Sequence, residues 1–180
     1  MSNLWKLTDA RHRTYGGCQW GPGVTHRASG KGALCGPGWI YAYTSPRLAV
    51  LFNPIHAGFD PLVLWRAEGV VGATDHGLKV GCTELTTLEI AAAPIYSHVQ
   101  RVAFAIFCAQ TVYHDAAWCS WTEGWLSGTD RSGKAARAAR AAARAAAAEA
   151  AEAAAAGAAA AEGIPLDLDA LALRALKWQP

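Results

Sequence analysis

Hydrophobic positions along the first 96 residues follow strand patterns in three stretches. Residues 4–8 alternate between apolar and polar, residues 61–71 are mostly apolar, and residues 83–90 are rich in β-branched side chains. Glycine and proline clusters at 16–17, 21–23, 30–32 and 36–38 lie between these stretches and predict turns. One short helix is predicted over 45–53, because Ser45 can cap its first turn and Pro46 suits the first helical position.

From Ser97 onward the hydrophobic positions recur every three or four residues, which predicts helices over about 98–126 and 167–178. Ser97 and Gln100 form a capping-box pattern, so the first of these helices is expected to begin near residue 98. Residues 114–115 are a candidate break in it, where Asp115 can cap a second segment.

The most distinctive tract is 135–161, where 21 of 27 residues are alanine, and it predicts a helix over 130–162. Its charges fall on one face, the basic ones first and the acidic ones afterwards, and the opposite face is alanine. The candidate interaction residues are Arg137, Arg140, Arg144 and Gly157.

Three environments could accommodate this alanine helix. We favour the centre of an intramolecular helical bundle, because the flanking helices carry charges of the opposite sign. A homodimer of two antiparallel copies would also match the basic half with the acidic half. Nucleic-acid binding is the least favoured, because no aromatic side chains interleave with the basic residues.

These patterns together predict an α+β fold. A small β-rich domain over 1–96, with one short helix, is followed by an alanine-rich helical bundle over 97–180. We expect the helices of the bundle at about 98–126, 130–162 and 167–178.

Composition limits the cellular compartment and the kinds of ligand expected for the protein. A net charge of +2 over 180 residues is too small to predict nucleic-acid binding, and the absence of a secretion signal or a long apolar run predicts a cytoplasmic protein. Five cysteines without a CxxC pair are expected to be reduced thiols. A zinc site of His12, Cys18, His26 and Cys35 is disfavoured because zinc ligands usually lie in closer pairs. We therefore expect no metal and no cofactor.

Catalytic signals are sparse. The segment 38–49, with Tyr41 and Tyr43 on one strand face followed by a helix, resembles the strand-and-helix element of ADP-ribosyltransferase-like folds. That resemblance implies NAD as a substrate, with a tyrosine stacking on the nicotinamide. It also calls for an upstream His26 or Arg27 and a downstream glutamate.

The glutamates available for that role are Glu84 and Glu89. We favour the simpler interpretation of Tyr41 and Tyr43 as a buried aromatic pair. His56 and the adjacent pair 75–76 are polar candidates that we assign to loops or to the core.

Several segments resemble an uncharacterised protein family common in bacteriophages and prophages. They are 34–39, 48–56, 75–79, 101–108 and 125–132, followed by the alanine-rich tail, and the likeness covers most of 3–160. The resemblance implies a phage-encoded accessory protein in the cytoplasm of the bacterial host and assigns no role to any residue.

We therefore expect a non-enzymatic accessory protein that binds a host or phage macromolecule, with host defence as a candidate target. A protein partner is expected, and neither nucleic acid nor a membrane. The alternative is an ADP-ribosyltransferase-like enzyme that uses NAD. A structural component of the virion is the third expectation.

Overall fold

The computed structural model describes residues 2–34, 36–75, 79–111, 113–133 and 167–179. Within them the protein is a mixed α+β structure with an antiparallel sheet. The alanine tract lies outside the described residues, and so do Arg137, Arg140, Arg144 and Gly157. The predicted alanine helix, its bundle and its dimer therefore stay predictions.

The sheet has five strands, which are β1 (Ser2–Asp9), β2 (Thr25–Arg27), β3 (Ile40–Ala42), β4 (Leu62–Asp75) and β5 (Lys79–Ala91). The helices among the described residues are α1 (Pro46–His56), α2 (His98–Gln110), α3 (Ala116–Leu126) and α4 (Leu168–Lys177). The three predicted strands are confirmed as β1, β4 and β5, and all three extend beyond the predicted bounds. β2 was not predicted, because three residues are too few to show a period.

Local capping signals located the helix starts correctly. The Ser45 hydroxyl accepts the Arg47 N–H at the start of α1, and the capping box of Ser97 and Gln100 is formed at the start of α2. Asp115 accepts the Trp118 N–H, which begins α3 as a separate helix after the predicted break.

The end of α1 differs from the prediction. The helix continues past residue 53 to His56, even though Pro54 lies inside it. It ends where the Asn53 carbonyl accepts the N–H groups of Ala57 and Gly58. The Asn53 amide also donates to the Phe59 carbonyl at 3.0 Å and accepts the Phe59 N–H at 3.1 Å. Asn53 therefore fixes the chain that leaves the helix.

The chain divides into two compact units. The first contains the residues up to Tyr96 together with Leu168–Leu173, and the second contains the residues from Ser97 together with those from Arg174. The predicted division assigned the whole last helix to the helical part. In the structure, Asp169 of α4 is bound by the side chains of Arg47 and Ser45.

Hydrogen bonds connect four strands of the first unit into a ring. β1 pairs with β4, β4 with β5, and β5 with β3, all antiparallel. Trp5 and Tyr43 then exchange two N–H···O bonds of 2.9 Å, which return the chain after β3 to β1. Three register shifts between β4 and β5 bend this long hairpin, as bulges do.

The interior of the ring is mostly apolar. Its buried cluster consists of Leu4, Trp20, Ala42, Ala67, Val80, Cys82 and Leu85. Lys6 follows Leu4 by two residues and therefore points to the same face of β1. Its side chain is buried, with a relative exposure of 8%, so the strand places a cation next to the core.

The first unit contains a polar pair that is completely buried. The Trp65 indole N–H donates to the Thr8 hydroxyl over 3.1 Å, and both residues are fully buried.

No described helix is long and apolar enough to cross a membrane.

Candidate functional site

A cavity of about 480 Å³ opens in the first unit beside the C-terminal end of α1. Strands β1, β3 and β5 contribute to its wall, as do the end of α1 and the turn around Tyr15. The polar side chains that line it are Lys6, Thr14, Tyr15, Tyr41, Tyr43, His56 and Lys79. None of the described residues that line it is acidic. The cavity therefore combines cationic groups with hydrogen-bonding aromatic side chains.

Lys6 is the buried cation of this wall. Its ammonium donates to the Tyr41 carbonyl over 2.7 Å and lies 5.0 Å from the centre of the Trp20 ring. In the described part of the chain no carboxylate forms an ion pair with it. Burial lowers the pKa of Lys6 from 10.5 to about 8, against a smaller opposite effect of the Cys18 and Cys82 thiols.

Tyr43 and His56 form a polar pair on the wall of the cavity. The Tyr43 hydroxyl and the His56 Nδ1 are 3.0 Å apart, and the two rings are stacked with centres 6.0 Å apart. Phe52 also stacks on His56, at 5.4 Å. Burial raises the pKa of Tyr43 to about 12, so its phenol stays protonated near neutral pH.

Tyr41 contributes its ring to the cavity wall from β3. Its hydroxyl donates to the Gly36 carbonyl over 2.7 Å, which fixes the phenol. The Lys79 ammonium lies 5.2 Å from the centre of the same ring, within the range of a cation–π interaction. Tyr41 pairs across the sheet with Gly81, whose lack of a side chain leaves room for Trp39.

Two large side chains at the cavity, one aromatic and one aliphatic, face solvent. Tyr15 is fully exposed and Ile55 is 75% exposed. Tyr15 begins a short 3₁₀ turn in which Gly16 and Gly17 have φ values of 70° and 74°, a conformation that favours glycine. A mostly apolar lining with a few polar groups, as this cavity has, is typical of sites that bind small molecules.

The structure brings together only two of the residues predicted for an NAD-using enzyme. Tyr41 and Tyr43 both line the cavity. The simpler interpretation expected both to be buried, but Tyr43 is buried and Tyr41 only partly so. Neither glutamate lines it. Glu84 forms an ion pair with Arg27 at 2.6 Å, and Glu89 forms one with Arg66 at 2.9 Å.

His26 does not line the cavity. Its Nε2 is 2.8 Å from the Gln19 carbonyl and 3.5 Å from the Cys18 sulfur, and its ring packs edge-on against Trp20. His12 instead packs against Trp65, and Cys35 lies outside the described residues. Across the described ranges, no three metal-ligating side chains cluster.

Sequence patterns missed the residues that shape this cavity most. Lys6 is a charged residue, a type that is almost always exposed, so the sequence predicts exposure rather than burial. His56 was assigned to a loop or to the core, and the structure places it at the end of α1. The one local signal at Tyr15 is the glycine pair after it, which indicates a turn but no site.

No known protein family, no curated protein and no solved structure matches the chain.

Proposed function

We propose that the first unit binds a small anionic ligand with a planar ring, such as a nucleotide. The observation that carries this proposal is the composition of the cavity wall. Cationic, phenolic and imidazole groups line it, the described lining contains no acidic residue, and exposed Tyr15 and Ile55 flank it.

The volume of the cavity and the side chains that line it support the same class of ligand. A volume of about 480 Å³ falls within the range of pockets that bind small molecules. The Lys6 ammonium provides positive charge in a desolvated place, where it attracts an anion more strongly than it would in water. Tyr15 and Tyr41 provide aromatic surface on which a planar ring can stack.

This proposal differs from the expectation from the sequence, which was a non-enzymatic accessory protein that binds a macromolecule. A phage origin, a role against host defence and a macromolecular partner remain predictions from the sequence. The helical bundle built on the alanine tract belongs to the same proposal, as the part of the chain that would contact a protein partner.

Titration calorimetry with ATP and adenosine tests the proposal, because the two ligands share a ring system and differ in charge. We expect ATP to bind and adenosine to bind at least about tenfold more weakly, as the loss of a charge-assisted hydrogen bond predicts. Equal affinities, or the absence of binding by ATP, by NAD and by inorganic phosphate, would refute it.

Two variants make the test specific to the cavity. Tyr15→Ala removes a fully exposed side chain and should not disturb the fold. It should weaken ATP binding by about fivefold to tenfold, the usual value of one aromatic contact. Lys31→Met is the matched control, because Lys31 is exposed and does not line the cavity. If Lys31→Met weakens ATP binding as much as Tyr15→Ala does, the binding site lies elsewhere.

The second candidate is the ADP-ribosyltransferase-like enzyme. The observation in its favour is that Tyr41 and Tyr43 line one cavity, and the ion pairs of Glu84 and Glu89 away from the cavity count against it. Incubation with labelled NAD and bacterial lysate distinguishes the two candidates, with Tyr41→Ala as the control. Binding of NAD without transfer of label supports the ligand-binding function alone.

A further inference from the structure

Lys6 has a chemical environment that simple anion binding does not require. Its side chain enters the interior of the strand ring, is 8% exposed and lines the cavity. The described residues give its ammonium one hydrogen bond, to the Tyr41 carbonyl, and one aromatic contact, with Trp20. A lysine held in this way, without a carboxylate partner in the described part of the chain, resembles the amines that react with carbonyl compounds.

We propose that Lys6 is a nucleophile that forms an imine with an aldehyde or ketone carrying an anionic group, bound in this cavity. The inference rests on the proposed function, because the anionic group is what the cavity would recognise. It adds a covalent step and a reacting atom, the Lys6 Nζ.

The uncharged amine is the reactive form. With its pKa lowered to about 8, about a tenth of Lys6 is uncharged at neutral pH, compared with less than about a thousandth of an ordinary lysine. The cause of this difference is burial, which disfavours the ammonium. The cavity therefore gives a carbonyl compound access to Lys6, and burial keeps part of the Lys6 amine in its uncharged, reactive form.

The reaction is balanced without a further reactant. The Nζ lone pair attacks the carbonyl carbon, a C–N bond forms as the C=O π bond breaks, and one Nζ proton moves to the oxygen. The resulting carbinolamine loses its hydroxyl group as water, with a proton from a neighbouring acid, while nitrogen releases its second proton. One amine and one carbonyl compound thus give one imine and one water, and nothing is oxidised or reduced.

His56 and Tyr43 are placed to handle these protons. Both line the cavity with Lys6, and when the His56 Nδ1–H donates in their hydrogen bond of 3.0 Å, the phenol keeps its own O–H for another acceptor. The phenol, which stays protonated, can donate a hydrogen bond to the carbonyl oxygen and polarise it. His56→Ala should therefore slow imine formation without preventing it.

Reductive trapping tests the inference on the unmodified chain. The protein is incubated with 4-formylbenzoate and sodium cyanoborohydride near neutral pH, and the modified lysines are located by peptide mass spectrometry. We expect Lys6 to be modified at least about tenfold faster than the exposed Lys31 and Lys177, given its larger uncharged fraction. Modification confined to exposed lysines would overturn the inference.

A neutral probe and a charge-conserving variant separate the two proposals. Benzaldehyde should modify Lys6 more slowly than 4-formylbenzoate, and equal rates would overturn the proposed ligand class. Lys6→Arg keeps the positive charge and should lose the trapped adduct, with circular dichroism confirming the fold. If ATP binds to the unmodified protein and Lys6 is not trapped, the proposal of imine formation is refuted and the proposed ligand-binding function stands. If Lys6 is trapped and no anion binds, the proposed function fails alone.

Discussion

The stability of the first unit should depend on pH through Lys6, and the variant that tests this is Lys6→Met. Methionine has a similar length and flexibility but no charge, so it keeps most of the packing against Trp20. The pKa of Lys6 is about 8 in the folded protein, and that of a solvated lysine in the unfolded chain is 10.5. Between these two values the unfolded chain holds more protons than the folded one, so the free energy of unfolding rises with pH.

The expected size follows from the two pKa values. Below pH 8 the ammonium is charged in both states, and its full burial cost of about 3 kcal/mol is present. Between about pH 7 and pH 9 roughly 1 kcal/mol of that cost disappears as the folded protein releases its proton. Burial raises the pKa of the Cys82 thiol to about 11, which acts in the opposite direction above pH 9, so the measurement should end there.

The assay is equilibrium unfolding in urea, followed by circular dichroism, for wild type and Lys6→Met at a series of pH values. The difference in the free energy of unfolding between the two proteins isolates the contribution of Lys6, because the other titrating groups are common to both. We expect the stability advantage of Lys6→Met to shrink by about 1 kcal/mol from about pH 7 to pH 9.

An exposed lysine provides the control. Lys31→Met should follow the wild type at every pH, because the Lys31 side chain is in solvent in the folded protein. A constant difference between wild type and Lys6→Met would refute the reasoning, since the ammonium would then be as well solvated as in the unfolded chain. Lys6 would then also lack the uncharged fraction that the proposed imine formation requires.

Three further substitutions test how the first unit is held together. Asp169→Asn should cost about 1 kcal/mol at neutral pH, because it weakens the charged hydrogen bonds from Arg47, and urea unfolding measures this. Thr8→Val should cost about 1–3 kcal/mol in the same assay, because it leaves the buried Trp65 N–H without an acceptor. Gly69→Ala should cost more than about 2 kcal/mol in thermal unfolding, since its added Cβ would lie 2.4 Å from a backbone oxygen of the neighbouring strand.

Each of these has a control with a defined outcome. Burial alone would raise the pKa of Asp169, but hydrogen bonds from Arg47 and Ser45 hold it below its usual range. The Asp169→Asn effect should therefore vanish as the pH falls below that pKa, and a pH-independent cost would contradict it. In a Trp65→Phe background Thr8→Val should cost almost nothing, and an unchanged cost would exclude the hydrogen bond as the cause. Gly21→Ala, whose Cβ would meet its nearest atom at 3.4 Å, should be tolerated far better than Gly69→Ala.

Helix starts were predictable because the signal is local. Ser45, Ser97 and Asp115 each cap a backbone N–H two or three residues along the chain, so the sequence contains both partners of the interaction. The predicted turns at Gly16 and Gly30 follow the same logic, since both residues adopt positive φ. The helix end at His56 was missed because the interactions of Asn53 with the chain beyond the helix have no such pattern.

The candidate site was predictable only in part. Tyr41 and Tyr43 were identified from a strand followed by a helix, and both line the cavity. Lys6, His56 and Lys79 come from distant parts of the chain, and no local pattern connects them. The glutamates could be counted in the sequence, but their ion pairs with Arg27 and Arg66 depend on strand register.

The sequence by itself determined the strands β1, β4 and β5, the starts of three helices and the α+β class, because these depend on periodicity and on contacts between near neighbours. Only the tertiary structure decided that Trp5 pairs with Tyr43 and that the ring so formed encloses Lys6. Burial changes an ordinary strand lysine into a weakly basic amine beside a cavity. The physical reason is that desolvation depends on everything around a group, and most of what surrounds Lys6 lies far from it in the sequence.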